Sequence, residues 1–240
     1  MRADSASKLV KVSKVIADIY GDELHKKRQL SLSYAAMGLL ASESLLLHRM
    51  AEGLVDTRGV KKKHATKQID RLLSNQGLSI WDLAAPWVAY VLKDVKDVQV
   101  ALDWTAFYDD AQSMLSLNIV TGKGLSTPLL WKSVDNSHLK ANRARYEDQL
   151  LSRLKEVLPQ GIKVTVIADR GFADHKFLRF LEEELQFTYI IRIKANTTIA
   201  YQEQKAKASE WLKPTGKPLS LKNPTITLTS YPVKQFIAVK

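Results

Sequence analysis

Two short phrases, ALDWT around Asp103 and VIADRGF around Asp169, constrain the fold of this chain more than any other feature, because each sets an aspartate in or at the tip of a strand-like run. In VQVALDWT the two-residue period of a strand puts Val98, Val100, Leu102 and Trp104 on one face, and Gln99, Ala101, Asp103 and Thr105 on the other. In KVTVIADRG, Val164, Val166 and Ala168 share a face opposite Thr165, Ile167 and Asp169, and Gly171 marks the strand's end. Either aspartate alone reads equally well as an ordinary hydrogen-bonded or edge carboxylate. The order of elements between them says more. AQSMLSLNIV and LSTPLLWKSV are strand-like runs parted by Thr-Gly-Lys-Gly. A helix over Arg145 to Leu158 follows, with Tyr146, Leu150, Leu154 and Val157 on its buried face and Pro159-Gln160-Gly161 ending it. Three meandering strands, a crossover helix and a strand parallel to the first make the two aspartate strands neighbours.

After Asp169, Asp174 is placed to cap a helix that packs through Phe177, Leu178, Leu181 and Leu185, with Glu182 to Glu184 solvated. Phe187 to Lys194 then alternates as a strand. Together ALDWT, VIADRGF and the following FTYIIRIKANT resemble the insertion-sequence DDE transposases, in the subgroup often called the insertion sequence four family. The resemblance is specific from Asp103 to Lys194 and loose over the rest of the chain. It implies an RNase H-like catalytic core in which Asp103 and Asp169 are the first two members of an Asp-Asp-Glu triad that binds Mg2+ or Mn2+. Carboxylates suit that chemistry because they can hold two cations about 3.5 to 4 Å apart, one on each of the attacking and leaving oxygens of an in-line phosphoryl transfer.

Charge points to a polyanionic partner. The formal net charge is +11, and it is divided as +5 over residues 1–95, −1 over 96–191 and +7 over 192–240. Basic flanks around a neutral centre fit an enzyme that neutralises DNA phosphates on either side of a carboxylate site. A soluble basic protein with no nucleic-acid role has the same total. The absence of cysteine excludes disulfides, thiolate-zinc sites and thiol nucleophiles, so any metal must be held by oxygen or imidazole. No uninterrupted apolar run approaches about 18 residues, and no secretory pattern opens the chain. The expectation is a cytoplasmic protein with no membrane partner.

The N-terminal region reads as helical. Lys8 to Tyr20 forms an amphipathic helix closed by Gly21, with Leu9, Val12, Ile16 and Ile19 inward. Leu30 to Met50 reads as one long buried helix. RGVKKKHATKQIDR, from Arg58 to Arg71, is the most basic stretch, in which Lys61, Lys62, Lys63, His64 and Lys67 precede or open a helix with Ile69, Leu72 and Leu73 inward. A basic helix start offers cations and backbone amides to phosphate, whereas base reading would need Gln68 or Arg71 to reach a base edge. A solvated charge run is the plain alternative. His64 has no second metal ligand at helical spacing. Ser79 and Asp82 cap a helix holding Trp81 and Trp87, with Pro86 kinking or restarting it, and both tryptophans keep apolar company suited to a core.

The expected organisation is α/β. An RNase H-like mixed-sheet core over residues 96–194 is preceded by a helical N-terminal DNA-binding domain over 1–95. It is followed, over 195–240, by part of the β-rich insertion that the resembled subgroup carries, read from strand-like runs at Thr225 to Thr229 and Val233 to Val239. DNA contacts are expected from Lys61, Lys62, Lys63, Lys67 and Arg71 in the first region, and from Arg170, Arg192 and Lys194 in the core. The resemblance implies transposition at insertion-element ends on double-stranded DNA, by a protein that is dimeric on DNA. It also places the catalytic glutamate on a helix after the insertion, in a pattern of Tyr, two residues, Arg, three residues, Glu, six residues, Lys. The nearest approach is Tyr189 with Arg192, where Asn196 takes the glutamate position; Glu203 and Glu210 lie in the polar start of the insertion. The expectation is therefore a chain truncated before that glutamate, which binds DNA without cleaving it and leaves one flank of the sheet, with Trp104, uncovered. A non-catalytic DNA-binding fragment or inhibitor, and an RNase H-like nuclease or resolvase, are the competing functions.

Overall fold

The computed structural model describes residues 3–122, 126–212, 218–226 and 231–238. It divides into two units, Met1–Lys93 and Asp94–Lys240. The first is built from α1 (Ala3–Tyr20), α2 (Lys26–Ser42), α3 (Leu47–Arg58), α4 (Lys62–Leu73) and α5 (Ala84–Val91). Its centre is Ala35 of α2, Met50, Ala51 and Leu54 of α3, and Ala65 and Ile69 of α4. The expected single helix over Leu30 to Met50 is in fact two. Glu43 turns into the left-handed region at φ 50°, its N–H donating to the Leu39 carbonyl. The chain then runs through Leu45 and Leu46, which are 81% and 60% exposed. Neither Gly nor Pro marks the break, so periodicity read across it. Leu73, expected inward, is 65% exposed at the end of α4. Pro86 sits in the first turn of a short α5, where its missing N–H costs no helical hydrogen bond.

Helices α2 and α3 approach closely because glycines face each other at the contact. A Cβ added at Gly38 would collide with the Met50 carbonyl oxygen, and one at Gly53 with the Gly38 carbonyl oxygen. Both collisions are with backbone, which cannot swing aside as a side chain would.

The second unit opens with β1 (Asp97–Phe107), β2 (Gln112–Val120) and β3 (Ser126–Asp135), and a short α6 (Asn136–Leu139) leads into the crossover helix α7 (Arg143–Val157). Next come β4 (Lys163–Ala168), a 3-10 turn at Arg170–Phe172, α8 (His175–Arg179) continued by a π-helical turn over Phe180–Glu184, and β5 (Thr188–Ile191). The strands form one mixed sheet in the order β3-β2-β1-β4-β5. β1 and β4 pair in parallel, as do β4 and β5, while β2 runs antiparallel to both β1 and β3. One face of the sheet is covered: Val98, Val100, Leu102, Val164, Val166 and Ala168 are buried, as are Leu150, Leu151 and Leu154 of α7. Trp104, expected to be uncovered, is half-buried, bonded through Nε1–H to Glu147 of α7 at 2.8 Å and lying under Arg143.

Beyond β5 the chain makes strands within both expected runs, at Thr225–Ile226 and Gln235–Ala238, and further ones that its polar composition hid. β6 (Thr198–Tyr201), β7 (Gln204–Lys207), β9 (Thr225–Ile226) and β10 (Tyr231–Pro232) form a second sheet in the order β10-β9-β6-β7. β8 (Leu219–Lys222) pairs with β11 (Gln235–Ala238). Ile199, Trp211, Leu221 and Ala238 form their core. Of the expected strands, 227–229 and Val239 lie outside the described residues, as do the last two residues of the Thr-Gly-Lys-Gly turn. Glu182, expected to be solvated, instead ties this region to α8 and its π turn: it pairs with Lys234 Nζ at 2.9 Å and accepts from the Tyr231 hydroxyl at 3.3 Å.

Since the α2–α3 contact has no room for a methyl group, Gly38→Ala should destabilise the chain by about 1 to 3 kcal/mol, the usual cost of overpacking. Thermal melts followed by circular dichroism check this, and an unchanged midpoint would contradict the close approach.

Candidate active site

The register of the sheet sets the geometry of the site. β1 and β4 pair from Asp97 with Lys163 through to Leu102 with Ala168. One residue further along each strand stands the aspartate, so Asp103 and Asp169 are side by side at the same end of adjacent parallel strands. Their faces agree too. Leu102 and Ala168 are buried on the covered side, and the alternation turns Asp103 and Asp169 to the open side, where both are exposed. Neighbouring parallel strands lie about 4.8 Å apart, within the span over which two carboxylates can share a cation.

The same row continues across the sheet. Asp103 pairs with Ser116 of β2, and Ser116 with Trp131 of β3. On the other side, Ala168 pairs with Ile191 and the Arg192 N–H donates to the Ala168 carbonyl at 3.2 Å, so Arg192 follows in the row beyond Asp169. Asp169 is held where β4 ends. Its Oδ1 accepts the Gly171 N–H at 2.7 Å, which caps the 3-10 turn and fixes the carboxylate against the backbone.

A cleft of about 310 Å³ opens beside this turn. Arg170 and Lys194 line it, with His175, Thr197 and Tyr231. The structure thus brings Arg170 and Lys194 together next to Asp169; Arg192 lies in the row of the carboxylates and is not among the cleft residues. His175, with no paired motif in the sequence, joins them only because β5 and the strands after it fold back beside α8.

Four glutamates of this unit have partners elsewhere. Glu147 receives the Trp104 N–H on the covered side of β1, opposite Asp103. Glu182 binds Lys234 and Tyr231, Glu183 lies 3.6 Å from Arg179 Nε, and Glu210 accepts the Lys207 N–H at 3.0 Å. Among the described residues, no three His, Asp or Glu stand together as a metal-binding group. The fit to a divalent cation therefore rests on the two aspartates, a pair of hard oxygen donors open to solvent. Burial around Glu182 and the Glu182 carboxylate itself raise both the Tyr189 and the Tyr231 hydroxyls above the usual phenol range, burial being the larger cause in each.

In the first unit the basic residues divide. Lys62 pairs with Glu52 at 2.7 Å, and Arg49 with the same carboxylate at 3.2 Å. These two cations hold the Glu52 carboxyl below its ordinary range, the Lys62 hydrogen bond first. Arg58 donates to Gln68 Oε1 at 3.2 Å and lies over the Tyr34 ring. Lys61 and Lys63 are exposed at the entry to α4. Lys67 and Arg71 line a cleft of about 590 Å³ together with His64, Gln68 and, from α2, Arg28. Arg28 went unread in the sequence, although the run Lys26-Lys27-Arg28 was there to signal it.

Residues 115–239, just over half of the chain, match a family model described as Transposase DDE domain. The match begins after Asp103 and includes Asp169. No curated protein and no solved structure matches the chain.

Burial pushes the Glu147 carboxyl above its ordinary range, against the lowering effects of the Trp104 N–H and of Arg143. The folded chain then holds this proton more tightly than the unfolded chain does. The stability this group contributes is full below the unfolded carboxylate range and is lost as the pH rises through the folded value. Glu147→Gln keeps an acceptor for Trp104 and removes that loss. It should raise stability at pH 7 by less than about 1 kcal/mol, since the site is partly exposed, and match the wild type below about pH 4. Melting curves across that range check the sign, and a variant less stable at pH 7 would contradict it.

Proposed function

This chain belongs to the DDE transposase family, and on that premise we propose that it is an insertion-element transposase whose Asp103 and Asp169 form the metal-binding part of a phosphoryl-transfer site. DNA is the partner that the family implies. The observation that carries the reading is the parallel pairing of β1 with β4, which leaves two exposed carboxylates side by side on the open face of a mixed sheet. The finer assignments follow the resemblance: an RNase H-like core of the insertion sequence four type, a β-rich insertion from residue 195 onward and a DNA-binding role for residues 1–95. Among the described residues no single helix is long and apolar enough to cross a membrane. The reading places the protein in the cytoplasm, as a dimer on element ends.

Asp103 and Asp169 would hold Mg2+ or Mn2+, which, when bound, supplies positive charge to offset the negative charge that develops on phosphoryl oxygens. The chain's own residues do the rest of the positioning. The Gly171 N–H holds one Asp169 oxygen, so the carboxylate keeps its orientation as a DNA strand arrives. Arg170 and Lys194 bind backbone phosphates beside the carboxylates, and Arg192 neutralises charge at the end of the same row. The open face leaves room for a duplex, which the covered face does not. No side chain of the site is assigned as a proton-transferring base, consistent with a chemistry driven by charge stabilisation and positioning.

With two carboxylates side by side and no third acid grouped with them among the described residues, the 240-residue chain should bind DNA and leave it uncut. Incubation with supercoiled plasmid carrying the element's ends, in Mg2+ and in Mn2+, tests this. Retarded but intact plasmid is the expected result. Nicking that disappears with Asp103→Ala would show that another glutamate completes the site, and failure to retain plasmid at low salt would contradict the reading itself.

A further inference from the structure

We propose that the cleft between α2 and α4 seats one sugar-phosphate strand of duplex DNA, so that α4 grips the backbone from the side instead of lying in a groove to read bases. The inference rests on DNA being this protein's partner and adds the mode of contact and two residues of α2. Its lining holds three cations and no carboxylate: Arg28, beside Ser31, on one wall, and Lys67 and Arg71, beside His64, on the other. On α4 these fall at steps of three and four residues, so a single helical face supplies the wall. Among the described residues neither Lys67 nor Arg71 forms an ion pair, in contrast to Lys62, which is matched to Glu52. Collected positive charge with no internal counterion is costly to the fold and is relieved by a bound polyanion.

Shape decides which part of the DNA fits. A helix that reads a major groove must stand out as a ridge, with its polar face free on both sides. Here the polar face of α4 is one wall of a concavity of about 590 Å³, and Arg28 stands on the other wall. A concave cationic surface accepts a convex anionic one, which on duplex DNA is the backbone. Gln68, the residue best suited to read adenine, already gives its Oε1 to Arg58 at 3.2 Å. Arg28 is held in place as a phosphate ligand should be: its Nη1 donates to the Gly77 carbonyl at 3.1 Å, in a turn where Asn75 Oδ1 takes the Gly77 N–H at 3.0 Å. The remaining donors of that guanidinium suit a phosphate oxygen.

The experiment is a salt titration of DNA affinity, by fluorescence anisotropy, on the full chain with two short duplexes of unrelated sequence. Arg28→Gln, Lys67→Gln and Arg71→Gln should each reduce the slope of log affinity against log salt by roughly 0.9, equally for both duplexes. Arg28→Lys, which keeps the charge, should restore most of the slope. Ser31→Glu, an exchange outside the core that introduces an anion into the cleft, should weaken both duplexes and provides the test should a glutamine variant not fold. Gln68→Ala should leave the preference between the duplexes unchanged. Wild-type binding with slopes unaltered in the cleft variants overturns the proposal while leaving the transposase reading in place. Loss confined to one duplex, or a changed preference with Gln68→Ala, overturns it in favour of base reading. No binding of either duplex by the wild type at low salt overturns both.

Discussion

The parallel ladder between β1 and β4 is the constraint on which the candidate site depends. Parallel neighbours cannot be joined by a tight turn, so the chain must travel out through β2, β3 and α7 before β4 can return beside β1. That excursion builds the rest of the sheet and supplies α7, whose buried leucines belong to the covered side. Register then does the chemical work. Because Leu102 faces Ala168, the next residue on each strand is an aspartate on the open side, and a slip of one residue would turn one carboxylate into the covered face.

Charge is distributed in keeping with that division. Glu147 is held by Trp104 and Glu182 by Lys234 and Tyr231, while Asp103 and Asp169 remain exposed. Glu182 has a structural duty as well, since Tyr231 and Val233 pack with Leu178 of α8 in one small apolar cluster. The cluster keeps the later strands beside α8 and so forms the cleft in which Arg170, His175 and Lys194 meet. In the N-terminal unit the same economy separates cations that hold the fold, such as Lys62 and Arg58, from those that line the α2–α4 cleft.

The core strands and their order were legible in the sequence because period-two alternation is strong in VQVALDWT and KVTVIADRG, and because a meander and a crossover helix allow few topologies. The adjacency of Asp103 and Asp169 was legible for the same reason. What sequence did not reveal had local causes. The break between α2 and α3 depends on Glu43 adopting a left-handed conformation with no Gly or Pro to announce it. The strands β6 to β8 are only four residues each, too short to show a period on their own; β7 reads Gln-Lys-Ala-Lys, and the strands are held by pairing and by the core around Trp211. Glu182 read as solvated because Lys234 and Tyr231 are distant in sequence and reach it only in the fold. Arg28 and His175 belong to clefts made by elements that no local pattern joins.

The central claim is that Asp103 and Asp169 act as one site. A double-mutant cycle on Mn2+ affinity, measured by calorimetry on the wild type, Asp103→Asn, Asp169→Asn and the double variant, tests this directly. If the two carboxylates share a cation, each single change removes most of the binding and the second adds little, giving a coupling energy of about 1 kcal/mol or more between them. Additive losses, or equal binding by all four proteins, would mean that the carboxylates do not share a site and would contradict the account.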